Sequence, residues 1–304
     1  MKPVVQWSVA AEDGSTVGAV FDRMIEEGAP PDGRVFLNGR PADAGEPVDV
    51  GDRLTVYPRR ELRLTAPEVM AQRDGVLLVY KPAGLPSETT RLGEDSLLSA
   101  LLERFNGGKV HVATRLDTMV SGVVVATLGR DASRRLAAWR EAGLVRRTYV
   151  ALAATDAAGP DEGVWTWSLA RGRDRGGRHV ARTGVDGAKP AETRYRVLAT
   201  TDAARLLALW PRTGRMHQLR AHASLAGQPL WGDGRYGGQV QLVDPRGAVT
   251  KLDRPMLHAA RVTLPHLAAL APPPPDFEAA WSALGGDGDD LRAVPTDDDD
   301  GGHR

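Results

Sequence analysis

TRLDTMVSGVVVAT, residues 114–127, places a carboxylate in a loop directly before a run of β-branched residues. The run from Val123 to Val125 has the composition of a buried β-strand. Asp117 stands just before that strand, with Arg115 two residues upstream. A carboxylate in this position can be held ready as a nucleophile or a base. An aspartate in such a loop also commonly caps a turn with its side chain, and that alternative stays open here.

On both sides of this loop, short apolar runs alternate with Gly, Pro and Asp. Helices are predicted over 131–142, with Asp131 as N-cap, and over 216–227, where Gly227 ends the helix. The spacing therefore predicts an α+β domain with a mixed, largely antiparallel sheet. We expect the active cleft to lie across that sheet. Strands are predicted within GVLLVYKPAG (75–84), YVALAA (149–154), TRYRVLAT (193–200), ARLLALWP (204–211) and ARVTLPH (260–266).

Residues 1–60 have a different pattern, which predicts a small N-terminal α+β domain. Apolar residues at helical spacing over 14–27 precede a strand, an Asn-Gly turn and a second strand. This segment resembles an S-four-type RNA-binding module, and a ubiquitin-like or TGS-type fold is the alternative. Residues 61–73 are interpreted as a linker and 74–270 as the catalytic domain. Residues 271–304, which are Pro-rich and then acidic, are predicted to be a disordered tail.

The amino-acid composition excludes several classes of protein. With no cysteine in 304 residues, the chain has no disulfide framework, thiolate metal site or cysteine nucleophile. No apolar run approaches the roughly 18 residues that span a bilayer, so we expect a cytoplasmic protein, and a monomer. The net charge of zero averages unlike segments, because residues 61–286 hold 30 basic and 22 acidic side chains. Most of those basic residues are arginines, which suit contact with RNA phosphates.

Two further clusters carry polar residues in a small space. RTGRMHQLRAH (212–222) opens a helix after a glycine, where anions are favoured. Its two histidines are five residues apart and so lack the spacing of a helical zinc pair, and we interpret them as structural. GDGRYG (232–237) is interpreted as a tight turn. Lys81 at a strand end and Tyr149 in a strand have equally plain interpretations, as a solvated and a half-buried side chain.

Taken together, these segments resemble the RluA-type pseudouridine synthases. Two positions depart from the usual pattern of the family, which has His before Arg-Leu-Asp and Thr before Ser-Gly, where this chain has Thr114 and Val120. Neither change removes the carboxylate. The resemblance rests on six segments in the order of the family: YKPAGLPS (80–87), TRLDTMVSGVVVAT (114–127), RRTYVAL (146–152), KPAETRYRVL (189–198), TGRMHQLRAHASLAGQPLWGDGRYG (213–237) and LHAARVTLPH (257–266).

The resemblance implies roles for individual residues. Asp117 matches the essential aspartate, Tyr149 the tyrosine that stacks on the target base, and Arg220 the basic residue paired with the aspartate. Arg115 matches an arginine that can take the place of the flipped base. We further predict that Arg212, Arg215 and Lys81 contact the RNA. The implied reaction isomerises uridine to pseudouridine in structured RNA, rRNA or tRNA, and needs no cofactor or metal.

Two other function classes are alternatives to this one. An RNA-binding module with a synthase-like fold and no activity would explain the departures at Thr114 and Val120. A hydrolase that uses Asp117 with a histidine would need a paired nucleophile and base, and no serine elbow or carboxylate pair is present in the sequence. New pseudouridine in incubated RNA distinguishes the enzyme from the binding module.

Overall fold

The structure, a computed structural model, describes residues 5–31, 33–57, 67–89, 95–155, 159–174, 177, 179–243 and 247–295. The chain forms two compact units. The smaller consists of Met1–Thr65 with Thr89–Ser96, and the larger of Ala66–Glu88 with Leu97–Arg304. In the described part of the chain, no helix is long and apolar enough to cross a membrane.

The smaller unit is a four-stranded antiparallel sheet with one helix among its described residues. Thr16 caps the helix, accepting a hydrogen bond from the Ala19 N–H at 3.4 Å. The predicted Asn-Gly turn is present, with Asn38 at φ 49°. The type of module remains a prediction. The elements are β1 (Val5–Ser8), α1 (Val17–Glu26), β2 (Arg34–Leu37), β3 (Arg40–Pro41) and β4 (Arg53–Tyr57), and the strand order is β1-β4-β2-β3.

The larger unit contains fourteen strands and four helices among its described residues. The strands are β5 (Val69–Arg73), β6 (Val76–Lys81), β7 (Val110–Val112), β8 (Ser121–Leu128), β9 (Arg146–Ala154), β10 (Glu162–Trp165), β11 (Ala170–Arg173), β12 (His179–Arg182), β13 (Thr193–Thr200), β14 (Ala204–Pro211), β15 (Gln241–Val243), β16 (Val249–Lys251), β17 (Leu257–Leu264) and β18 (Leu267–Leu270). The helices are α2 (Leu97–Arg104), α3 (Gly129–Glu141), α4 (Gln218–Leu225) and α5 (Pro275–Ala283), followed by a 3-10 turn at Asp290–Arg292.

Ten of these strands form one sheet, in the order β10-β13-β14-β9-β17-β8-β6-β5, with β18 on β17 and β7 on β8. The pairing of β8 with β17 is parallel and the other pairings are antiparallel. β11 pairs with β12, and β15 with β16, in two separate hairpins. The α+β class and the mixed, largely antiparallel sheet are therefore confirmed.

Helix α3 covers one part of the sheet. Its buried residues Ala132 and Leu136, four apart, belong to a core cluster with Leu78 of β6 and with Val123 and Val125 of β8. The predicted start of this helix was wrong, since Leu128 is the N-cap and Asp131 lies in the first turn. A carboxylate in the first turn is still stabilised by the positive end of the helix dipole.

For residues 271–295, the structure corrects the prediction of a disordered tail over 271–304. Phe277 and Trp281 of α5 are buried in a core cluster with Leu152 of β9 and Leu206 of β14. Because they are four residues apart, these two side chains lie on one face of the helix. Pro275 begins the helix, at a position where the backbone N–H has no partner within the helix. The prediction of a linker over 61–73 is likewise wrong for its last residues, because 69–73 form β5. Residues 61–66 and 296–304 lie outside the described residues.

Candidate active site

The loop that carries Asp117 is fixed from both ends. On its upstream side, the Ser87 hydroxyl donates to the Leu116 carbonyl at 2.9 Å and accepts from the Leu116 N–H at 3.0 Å. On its downstream side, the Val120 N–H donates to the Asp117 carbonyl at 3.0 Å, just before β8 begins. Thr114 accepts from the Val125 N–H at 2.8 Å. The threonine that departs from the family pattern therefore anchors the loop to β8.

Lys81 lies beside this loop and is fully buried. Its ammonium donates to the carbonyls of Pro82 at 3.0 Å, Leu85 at 2.7 Å and Thr118 at 3.1 Å. Burial lowers the pKa of Lys81 to about 7, against the opposing charge of Asp117. Three carbonyls match the three N–H groups of an ammonium, so the lysine ties the YKPAG turn to the Asp117 loop. The predictions that Lys81 is solvated and contacts RNA are wrong, because its side chain has no exposed surface.

Arg220 reaches Asp117 from helix α4. Its Nη1 lies 2.8 Å from Oδ2 of Asp117, and the Arg220 side chain is only 8% exposed. The same guanidinium makes two parallel bonds to Asp233, from Nε at 2.6 Å and from Nη2 at 2.7 Å. Burial acts to lower the pKa of Arg220, but the hydrogen bonds and charge of Asp233, followed by those of Asp117, raise it above its ordinary value. One cation thus joins two carboxylates.

Asp233 is placed by the Gly-rich turn after the segment QPLW. Gly232 has φ 77°, and a Cβ there would collide with the Arg254 carbonyl, so only glycine fits. The next residue, Asp233, is 1% exposed. The prediction that this run forms a tight turn is confirmed. The sequence gives no sign, however, of the buried carboxylate that the turn presents to Arg220.

The start of helix α4 is held by Gln218. Its side-chain oxygen accepts from the Thr213 hydroxyl at 2.7 Å and the Arg215 N–H at 3.0 Å. Its amide nitrogen donates to the Glu192 carbonyl at 2.9 Å and to Thr193 at 3.0 Å. All these bonds are made by a buried side chain, so the turn before Arg220 is rigidly placed.

The two histidines of this segment have different surroundings. His222 is buried between Thr193, at 3.1 Å from Nδ1, and the Trp167 carbonyl, at 2.9 Å from Nε2, which fits the predicted structural role. His217 instead lies at the site, with Nε2 3.9 Å from Oδ2 of Asp117. Its Nδ1 is 2.9 Å from the Tyr236 hydroxyl. The structural interpretation of His217 therefore missed its position beside the carboxylate.

Tyr149 lies on β9, opposite Leu209 of β14, and is 6% exposed. Burial raises the pKa of Tyr149, with Arg147 opposing and the charge of Asp117 adding to the shift. The structure thus brings the predicted residues Asp117 and Arg220 into contact, and it buries Tyr149 more deeply than the sequence suggested.

The remaining predicted residues lie at the surface. Arg115 is 61% exposed and paired with Glu88 at 2.9 Å. Arg212 is 66% exposed and paired with Glu192 at 3.2 Å. Arg215 is exposed, and its Nε donates to the Pro190 carbonyl at 3.1 Å. Each is open to a ligand, while their contact with RNA remains a prediction.

No group of three or more His, Cys, Asp or Glu side chains among the described residues could hold a metal ion. The arrangement is instead one carboxylate held by a buried guanidinium near an aromatic ring. This set can attack or deprotonate a bound group and can stack on a planar one.

Comparison with known proteins identifies the class. Residues 75–225 match the family of RNA pseudouridylate synthases. The chain is 33% identical over 215 residues to tRNA pseudouridine synthase C of Salmonella typhi, covering 66% of this chain and 80% of that protein. It is 33% identical over 203 residues to the dual-specificity RNA pseudouridine synthase RluA of Escherichia coli, covering 65% and 86%. The chain therefore belongs to the RNA pseudouridylate synthase family, and within it to the RluA type.

A solved structure supports the same fold. Human RNA pseudouridylate synthase domain containing 4 superimposes with a TM-score of 0.55 at 25% sequence identity, covering 71% of this chain and 92% of that one. The predicted family and its enzyme class, an isomerase, are thus confirmed.

Proposed function

We propose that Asp117 carries the chemistry that converts specific uridines of structured tRNA or rRNA to pseudouridine. The observation that carries this proposal is the Asp117–Arg220–Asp233 cluster beside the start of β8. The reaction breaks the bond between ribose C1′ and base N1, turns the base, joins C1′ to C5 and moves the C5 proton to N1. Reactant and product have the same atoms and oxidation state. Asp117 acts either as nucleophile at C1′ or as a base on the ribose and then on C5.

Arg220 orients the carboxylate for this step. Its guanidinium is shared with Asp233, which fixes the plane of the fork and therefore the direction in which Nη1 points. A group held in this way does not have to reorganise when charge shifts during the reaction. Asp117 is itself 27% exposed, so the carboxylate remains open to a substrate.

Tyr149 provides the platform for the flipped base. Removing a base from its stack costs a few kcal/mol, and stacking on an aromatic ring is worth about 1–3 kcal/mol per base. Tyr149 lies on β9, a central strand of the sheet, within the family segment RRTYVAL, which supports this role.

Exposed arginines near the site are proposed to bind the RNA. Arg212 and Arg215 flank the approach to helix α4 and suit phosphate contacts, and Arg115, two residues from Asp117, suits insertion into the space left by the base. The relatives include a tRNA pseudouridine synthase and a dual-specificity RNA pseudouridine synthase. This supports tRNA as one substrate and more than one RNA substrate for enzymes of the RluA type. We propose that the enzyme meets these RNAs in the cytoplasm and that it acts as a monomer.

The test is incubation of the protein with unmodified tRNA and rRNA, followed by carbodiimide mapping of pseudouridine. Wild type should create new pseudouridine at defined positions, and Asp117→Asn should bind the same RNA within a few-fold and give no product. Tight binding by wild type without any product would support an inactive binding module instead. Retention of more than about one-hundredth of the activity by Asp117→Asn would remove Asp117 from its role.

A further inference from the structure

A chain of hydrogen bonds runs from the β11–β12 hairpin to the carboxylate of Asp117. The Ala181 N–H on β12 donates to the Tyr236 hydroxyl at 2.7 Å. That hydroxyl lies 2.9 Å from Nδ1 of His217, whose Nε2 is 3.9 Å from Oδ2 of Asp117. Tyr236 is therefore anchored to a strand, and the imidazole is placed between the tyrosine and the aspartate.

We infer the donors in this chain from the groups that surround Tyr236 and His217. The Tyr236 oxygen accepts from the Ala181 N–H, and we infer that its own proton is donated to Nδ1 of His217. A neutral imidazole that accepts at Nδ1 carries its proton on Nε2. Burial lowers the pKa of His217, with Asp117 opposing and Arg220 and Arg235 adding to the shift, which favours that neutral form. The Nε2–H then faces the carboxylate.

The backbone of His217 is set in a special conformation. It has φ 52° and ψ 24°, in the left-handed region that few residues other than glycine adopt, and histidine is among those found there. The conformation comes immediately before helix α4, one turn ahead of Arg220. Such strain at an ordered position is a feature of functional sites.

Both side chains approach the same oxygen of the carboxylate. Arg220 bonds Oδ2 at 2.8 Å, and His217 is directed to Oδ2 at 3.9 Å. A movement of about 1 Å would bring the imidazole to the distance of an N–H···O bond. After that movement Oδ2 would accept from both side chains, which would leave the other oxygen of the carboxylate to react.

We propose that His217 is a positioning residue for Asp117, which holds Oδ2 through Nε2–H as substrate binds, and that Tyr236 fixes its ring. This inference rests on the proposed role of Asp117. It assigns the second carboxylate oxygen as the atom that attacks the ribose or takes the proton.

Two replacements of His217 separate its two contacts. Asparagine places its amide where Nδ1 lies and tolerates the left-handed backbone, but cannot reach Asp117. Glutamine places an N–H donor near the position of Nε2. We expect His217→Asn to lower the single-turnover rate at saturating RNA by about tenfold or more, with the RNA dissociation constant unchanged within about twofold. His217→Gln should restore the rate to within about threefold of wild type.

Two further variants serve as controls. Tyr236→Phe keeps the ring, whose centroid is 5.0 Å from the Arg220 guanidinium carbon, and removes only the hydroxyl, so its rate should fall between those of wild type and His217→Asn. His222→Asn alters the other buried histidine of the segment and should lower the melting temperature without changing the rate at saturating RNA.

Clear results would overturn the inference. A wild-type single-turnover rate for His217→Asn would remove the residue from the site. Equal loss in His217→Asn and His217→Gln, each with a lowered melting temperature, would show a role in folding alone. Absence of pseudouridine with the wild-type protein would refute the proposed function itself, whereas wild-type product with an unaffected His217→Asn variant would refute only the positioning role.

Discussion

Replacing Asp233 by asparagine should lower both the stability and the single-turnover rate of the enzyme, although Asp233 acts on Asp117 only through Arg220. Asp233 is 1% exposed and holds the Arg220 guanidinium through two bonds, at 2.6 and 2.7 Å. Asparagine keeps the shape, retains one acceptor and loses the charge. The guanidinium would then be free to turn toward Asp117 and pair with both of its oxygens.

The expected effect of Asp233→Asn has two parts, a loss in the free energy of unfolding and a loss in the single-turnover rate. Breaking a buried ion pair by changing one partner costs about 3–5 kcal/mol. Because Asp117 still partly compensates Arg220, we expect the lower end, about 3 kcal/mol. Misplacement of a positioned group by about 1 Å can cost about a hundredfold in rate. A hundredfold loss corresponds to about 2.7 kcal/mol of transition-state stabilisation.

The assay combines urea denaturation with single-turnover formation of pseudouridine at saturating RNA. Asp276→Asn is the control for bond geometry, since Asp276 makes the same two-bond contact with Arg254, at 2.6 and 2.9 Å, from a side chain that is 57% exposed. It should lose stability and keep its rate at saturating RNA. If Asp233→Asn loses stability yet turns over at the wild-type rate, the orientation of Arg220 by Asp233 is unimportant for catalysis and the reasoning is wrong.

Substitutions at four other positions test other parts of the structure. Arg220→Lys should keep part of the activity through its point charge and Arg220→Met should lose nearly all of it, whereas normal single-turnover by Arg220→Met would exclude the ion pair. Tyr149→Leu should reduce turnover far more than Tyr149→Phe, and equal losses would point to the hydroxyl. Trp281→Ala should lower the free energy of unfolding by about 3–5 kcal/mol in a denaturant titration, and a loss under about 1 kcal/mol would show that α5 does not pack. Lys81 has a folded pKa of about 7, below its ordinary value of 10.5, so the unfolded chain binds more protons between these values and stability rises with pH through that window. Relative to Lys81→Met, wild type should therefore gain stability from pH 7 to pH 10 in parallel denaturation curves, and a constant difference would contradict the shift.

The sequence predicts the sheet and the Asp117 loop because both depend on local pattern. Apolar runs bounded by Gly, Pro and Asp define the strands, and β8 follows Asp117 as expected. The pairing of Arg220 with Asp117, at 2.8 Å, agrees with the prediction from the family motif. These features are readable because a strand period or a motif fixes them within a few residues along the chain.

Errors arise where several distant segments meet. The three carbonyls that surround Lys81 come from the turn that follows it and from the Asp117 loop, and no spacing along the chain reveals that they converge. Helix α5 was missed because proline and acidic runs dominate the composition around it, while its burial depends on two aromatic residues one turn apart. Composition averages over a segment, whereas packing depends on a few side chains.

Asp233 shows why the interpretation of a motif can be correct and still incomplete. Gly232 and Gly238 do make the tight turn that the sequence predicts, and both approach other backbone atoms too closely for a side chain. An aspartate between such glycines is usually explained by turn formation alone. Here the turn aims the carboxylate inward, where a solitary charge would be unfavourable without a cation. A buried acid in a turn that its glycines already form must be compensated by a cation, and here that cation is Arg220, which also contacts Asp117.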